Sequence, residues 1–264
     1  MMTFWPRAHV VYRRLRNERG VALIIVLLVT ALLIALIFEF AYGTRVSLRA
    51  AQNFRDSQRA YFLARSGFGI FLKYKQLRDY FPQGEWVVVP VVSAGDTELR
   101  VLWEDEAGKI NISGLRVNST VFAWLTELFR IQNVSQEILD TLADPSNQLQ
   151  LLTQLHQFMN DETYNKIAPY VTLSSVPSNK ININTASEVV LRSVLATKTT
   201  ISISAILSRR QYQPYTSADL TTDLTDFVAT SNVFKVYFFA TAGGYTKQIE
   251  TIISNNTSVY WRAL

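Results

Sequence analysis

From Val21 to Phe38 the chain runs through eighteen residues in which Thr30 alone interrupts the hydrocarbon side chains. At 1.5 Å per residue, that is just enough helix to cross a bilayer core of about 30 Å. The run begins abruptly after Arg19-Gly20, and the twenty residues before it hold Arg7, Arg13, Arg14, Arg16 and Arg19 against Glu18 alone. By the positive-inside rule this predicts a cytoplasmic N-terminus, with the bulk of the chain across the membrane. A secretory signal peptide has a shorter apolar stretch, about 7–15 residues, and a small-residue cleavage site. Here the run ends in Phe38-Glu39-Phe40-Ala41-Tyr42, which offers no such site. The local charge of +4 takes up most of the chain's net +5, so the exported part is close to neutral and not a globally basic nucleic-acid binder. There is no cysteine, which excludes disulfides and thiolate metal sites and permits either cytoplasm or periplasm.

The helical pattern continues beyond the apolar run. No proline occurs between Pro6 and Pro82. Val46, Ala50, Phe54, Tyr61, Ala64, Phe68 and Phe71 recur mostly at spacings of three and four, with Arg45, Arg49, Arg55, Arg59 and Lys73 mainly off that stripe. Gly43, Gly67 and Gly69 weaken the helix by up to about 1 kcal/mol each. One helix from about Val21 to about Phe81 follows, apolar all round in its first third and one-sided thereafter. Its rise gives roughly 90 Å.

After Pro82 and Gly84, "EWVVVPVV" and "TELRVLWED" read as strands around the turn "SAGD", with Pro90 marking an edge or a bulge. Near the C-terminus "NVFKVYFFATA" and "YTKQIETIIS" flank Gly243-Gly244, a hairpin signal, and "VYWRAL" supplies a last strand. Between these strand blocks "STVFAWLTELFRIQ", "SQEILDTLAD", "LQLLTQLHQFMND", "SEVVLRSVLAT" and "SISAILSRRQY" are helical by period, with Ser119, Ser135 and Ser187 as N-caps. The fold class is therefore α+β: a long N-terminal helix packed on an antiparallel sheet, with an all-helical domain inserted over about 113–230. The phrases "GKINIS" and "NKININT" echo each other as short extended segments with Ile inward and Asn at a turn.

A basic leader ending in glycine before an apolar helix resembles a type IV prepilin. That likeness implies a type IV pilin-like fold, cleavage between Gly20 and Val21 by a prepilin peptidase, and N-methylation of Val21. Most members of that family carry glutamate at the fifth mature position, where it pairs with the N-terminal amine of the subunit ahead. Here the position is Ile25. Its absence, with "SQRAYFLARSGFGIF", "EDEAGKINIS", "APYVTLSS" and "KININTASEVVLRSVL" in that order, resembles the K-type minor pseudopilin of type II secretion systems. The resemblance implies a leader (1–20), a transmembrane stretch (21–42), a pilin-like domain in two parts (43–112 and 231–264) and the insert (113–230). It implies a place at the tip of the pseudopilus, initiating or capping assembly. The implied partners are the I-type, J-type and H-type minor pseudopilins and the major pseudopilin. Partner contacts are expected along Phe54, Tyr61, Phe68 and Phe71. The implied location is the inner membrane, single-pass, with a periplasmic C-terminal part.

The alternative class is a membrane-anchored helix-hairpin-helix DNA-binding protein of a DNA-uptake or pilus system. "ININTAS" and the following helices carry that likeness, with Lys198, Arg209 and Arg210 as its bases. Such hairpins need glycine for backbone approach to phosphate, and "LATKTTISISA" has none. Calcium, often bound in the K-type family by an aspartate-rich loop, would fall on "ILDTLADPSN". There Asp140 and Asp144, even with Asp161 and Glu162, are sparse for an ion wanting six to eight oxygens, so no cofactor is expected. Asp144-Pro145-Ser146-Asn147 reads as a turn. No nucleophile–His–acid set can be assembled around His9 or His156, so no enzyme is expected. "EDE" at 104–106 reads as a strand end in solvent or facing a basic partner.

Overall fold

The structure is a computed structural model, and it describes residues 9–73, 83–90, 95–115, 118–147, 149–173, 179–196, 198 and 201–264. The chain divides into two compact units, one ending at Gln58 and one running from Arg59 to Leu264. Helix α1, His9–Lys73, supplies the described part of the first unit and the opening of the second. It begins ahead of Val21: residues 9–20 contain one glycine, Gly20, and no proline occurs between Pro6 and Pro82 to break the helix. Its expected end near Phe81 lies outside the described residues.

In the second unit five antiparallel strands form one sheet in the order β1 (Val87–Val88), β2 (Thr97–Asp105), β7 (Val233–Ala242), β8 (Tyr245–Ser254) and β9 (Thr257–Ala263). Thr97 lies opposite Ala242 and Asp105 opposite Phe234. The first strand block shrinks to a two-residue edge strand because Pro90 has no N–H to continue the ladder. Val91 and Val92 lie outside the described residues. Gly243 and Gly244 both take positive φ, 55° and 81°, as the two-residue turn between β7 and β8 requires.

The strands alternate as a half-buried sheet must. Phe234, Val236, Phe238, Ala240 and Ala242 point inward from β7, and Leu99, Val101 and Trp103 from β2. Against them α1 sets Ala60, Ala64, Gly67 and Phe71, one line at spacings of three and four. The small residues let the helix backbone come close. A Cβ on Gly67 would stand 2.7 Å from Phe238 Cδ1 and 3.2 Å from Leu99 Cδ2. Burial of side chains such as Phe71, Leu99 and Phe238 contributes about 1.5–3 kcal/mol each.

A second hydrophobic cluster lies within residues 110–227, separate from the sheet's own. It is built by helices Ser119–Ile131, Gln136–Ala143, Asp161–Ile167, Glu188–Leu195 and Ile203–Tyr212. Two parallel bridges flank them: β3 (Ile110–Asn111) with β4 (Val171–Thr172), and β5 (Ile181–Asn182) with β6 (Phe227–Val228). Ser135 and Ser187 cap their helices as expected. The first helix is capped instead by Asn118, whose Oδ1 accepts from the Thr120 N–H at 2.9 Å, and Ser119 is already helical. Asn is as good a cap as Ser, so the sequence alone does not choose between neighbours. "LQLLTQLHQFMND" forms a tight 3-10 segment, Leu152–Gln157, rather than an α-helix. Gln154 Oε1 accepts from the Gln150 and Leu151 N–H groups, and Asn160 starts the next helix, which leaves no room for α-helical turns between.

The glycines give a paired test. Gly69 is exposed with open space at its Cβ position, so Gly69→Ala should raise stability by up to about 1 kcal/mol. Gly67→Leu should lower it by about 1–3 kcal/mol through overpacking. Denaturant unfolding of the detergent-solubilised chain reads both.

Candidate functional site

The apolar run presents its side chains outward. Every large hydrophobic residue that is exposed between Val21 and Phe40 is at least 45% so, and Val21 and Ile25 are each 56% exposed. Among the described residues this is one helix long and apolar enough to cross a membrane. Its lone polar residue is satisfied internally: the Thr30 hydroxyl lies 2.9 Å from both the Val26 and the Leu27 carbonyl. Gly20 sits inside the helix, exposed, with nothing within 4 Å of where a Cβ would stand. At Ile25 the surface is hydrocarbon where a carboxylate would give it charge.

The expected aromatic stripe divides. Phe54, Tyr61 and Phe68 recur every seven residues and keep one line along α1. Phe54 is 67% exposed, and Tyr61 and Phe68 are half-buried at the flank of the sheet cluster. Phe68 meets Trp261 of β9 edge-on at 5.5 Å. Phe71, three residues on, turns off this line into the chain's own core. It is 4% exposed and packs edge-on to Phe234 at 6.4 Å and Phe238 at 6.2 Å. The expectation that Phe71 contacts a partner is corrected accordingly: its surface is already used by the sheet.

A polar site absent from the sequence reading lies where β2 ends. Asp105 and Glu106 are 1% and 4% exposed, so of the two expectations for "EDE", a strand end in solvent or one facing a basic partner, the first is corrected, and the base that Glu104 and Glu106 face is Lys109 of the same chain. Asp105 accepts from the Ala107 N–H at 2.9 Å on Oδ1, and from Asn182 Nδ2 at 2.6 Å and Thr185 Oγ1 at 2.8 Å on Oδ2. Glu106 accepts from the Thr172 hydroxyl and, at 2.9 Å, from Lys109 Nζ, which also reaches Glu104 at 2.7 Å. Burial pushes the Asp105 carboxyl above its ordinary value, against the hydrogen bonds from Ser231, Thr185, Asn182 and the Ala107 amide. Burial pulls Lys109 down, but Glu106 and Glu104 outweigh it and the net shift is upward. The echoing Ile-Asn segments belong here. Ile110, Ile112, Ile181 and Ile183 are buried, and Asn111 caps its own turn by accepting from the Ser113 N–H at 3.0 Å. Asn182, however, donates to a carboxylate 77 residues away. A strand-end acid next to two matched Ile-Asn phrases is the signal the sequence held, but nothing in it says which side chains meet.

The other candidate residues are engaged locally. Asp144 Oδ1 accepts from the Ser146 N–H at 2.8 Å, which closes the turn, and Asp140 lies 3.4 Å from Gln136 Nε2. Asp161 pairs with His156 Nδ1 at 3.0 Å, and Glu162 with Lys166 at 2.7 Å. Of the bases considered for DNA, Lys198 pairs with Asp226 at 2.7 Å and Arg209 with Asp219. Arg210 donates to the Ile183 and Ala186 carbonyls at 3.2 and 2.6 Å.

Asp105 carries a prediction. Asp105→Ala strands the Asn182 amide and the Thr185 hydroxyl, and should cost about 3 kcal/mol in denaturant unfolding. Because its folded-state pKa is raised, Asp105 contributes stability that is present in acid and lost as pH rises through that value. Wild type should therefore gain on Asp105→Asn as pH falls from neutrality toward the ordinary carboxylate range, with thermal melts as the measure.

No protein-family model matches the chain, and no curated protein matches it. Among solved structures the likeness is to a chain of the crystal structure of the GspK–GspI–GspJ complex from the type 2 secretion system of enterotoxigenic Escherichia coli. The TM-score is 0.53 at 15% sequence identity, covering 84% of this chain and 99% of that one. The α+β, pilin-like architecture expected from the long helix and the two strand blocks is thus the fold this chain shares with a component of that secretion complex.

Proposed function

We propose that this chain is a minor pseudopilin of the K type, acting without enzymatic chemistry at the tip of a type II secretion pseudopilus, where it initiates or caps assembly. The observation that carries the reading is the apolar run of α1: exposed on all sides, ending N-terminally at Gly20, and presenting Ile25 at the fifth position after it. In this reading a prepilin peptidase removes residues 1–20 and methylates the Val21 amine. A new amine in lipid needs a counter-charge. Ile25 offers none to a subunit ahead, so this subunit fits where nothing lies ahead. The arginine-rich leader favours insertion with the N-terminus in the cytoplasm and residues 43–264 in the periplasm. The likeness to a chain of a GspK–GspI–GspJ complex supports I-type and J-type partners; H-type and the major pseudopilin are the further partners of this reading. Phe54, Tyr61 and Phe68 are the aromatic residues left to meet them. The insert over 113–230 is the bulk that closes the end of the fibre, and no metal or other cofactor is assigned to it.

The N-terminal mass of the membrane-extracted protein tests the core of this. It should begin at methylated Val21, and Gly20→Val should leave the leader attached. Open space at Gly20 means that the substitution disturbs no packing, so retention of the leader reports peptidase recognition rather than misfolding. A mature protein that still carries Met1 would overturn the assignment. Ile25→Glu should reduce secretion of the system's cargo at unchanged protein level, and undiminished secretion would remove the argument for the tip.

A further inference from the structure

Beside the buried acids the second unit holds an open cleft of about 430 Å³, whose lining includes Glu104, Asp105, Lys109, Asn184, Thr185 and Arg210. The charges in it are unequally matched. Lys109 is bonded to Glu104 and Glu106, and Asp105 is surrounded by donors. Arg210 has no carboxylate partner among the described residues. Its Nη1 donates to the Ile183 and Ala186 carbonyls, which fixes the guanidinium in place. The Nε–H and both Nη2–H groups, three of the five donors of an arginine, are left uncommitted in the described structure. Burial with nothing to offset it draws Arg210 below the usual arginine value, the mark of a cation partly out of water without a counter-ion. Exposed Arg130 and Arg192 have carboxylates at 2.6 and 2.7 Å; Arg45, Arg49 and Arg65 have none among the described residues but stand in water, whereas Arg210 is half-buried and held in place by two carbonyls.

We propose that this cleft binds a carboxylate, held by the free fork of Arg210 alone, because the Asn184 amide already donates to the Tyr215 and Ala229 carbonyls and the Thr185 hydroxyl to Asp105. A guanidinium fork fits the two oxygens of a carboxylate in parallel. One free cation matches one negative charge. A phosphate dianion would be under-neutralised with Glu104 on the same wall. The volume exceeds a bare carboxylate and admits either an acidic side chain of a partner protein or a small free organic acid. Both bring the same chemistry to Arg210, and the site does not depend on the pseudopilin reading.

Arginine-selective modification by phenylglyoxal, mapped by mass spectrometry on the full wild-type chain in detergent, tests this without any substitution. With propionate at about ten times its dissociation constant, modification of Arg210 should slow about tenfold relative to the same ionic strength of chloride. Exposed Arg49 and Arg100 should react unchanged in the same sample. Equal rates for Arg210 in propionate and chloride overturn the proposal. Given protection by propionate, the source follows from membranes of the native host with no acid added. Arg210 shielded there identifies a partner's acidic side chain, and Arg210 reactive there until propionate is supplied identifies a free acid.

Discussion

A carboxylate removed from water must find donors, and the donors of Asp105 decide how the second unit is put together. The acid is the last residue of β2, and its Oδ2 is reached by side chains from Asn182 and Thr185, far along the chain. Glu106 makes the equivalent link to Thr172. Two adjacent acids thus tie the end of a sheet strand to β4, through Thr172, and to β5 and the residues just after it, through Asn182 and Thr185. Breaking one partner of a buried polar set costs more than the set contributes over an apolar equivalent. The network is therefore costly to break without being a large net source of stability.

The other constraint is hydrophobic and reads along α1 alone. The same 3.6-residue period serves two environments in succession. Through residues 21–38 the apolar side chains cover the whole circumference, and from Ala60 to Phe71 one line of small and aromatic residues seats the helix on β2 and β7. The heptad line of Phe54, Tyr61 and Phe68 runs beside that seat rather than through it.

These differences in origin explain what could be read from the residues. The long helix, strands β2, β7, β8 and β9, the glycine turn and two of three serine caps are local: they follow from period, turn chemistry and capping within about ten residues. The long-range features were not legible. "EDE" looks like a solvated strand end because like charges in succession usually are, and only the fold supplies Thr172, Asn182 and Thr185 as donors. Phe71 and Phe68 cannot be sorted into inward and lateral by period alone, since a stripe of apolar residues is wider than the line that touches the sheet. Gly67, which reads as a weak point of the helix, is where the helix must come closest to Phe238 and Leu99.

The pairing of β2 with β7 has an architectural corollary. Asp105 stands directly across from Phe234, so the chain leaves the sheet and rejoins it at one rung of a single antiparallel ladder. Topologically the whole stretch between them is the loop of a hairpin, swollen into a body with its own interior. Closing a long loop costs only slightly more than closing a moderate one. Away from Thr172, Asn182 and Thr185, which hold the acids at its base, such a lobe can lengthen or shorten while the hydrogen-bonded rungs beneath it keep their register.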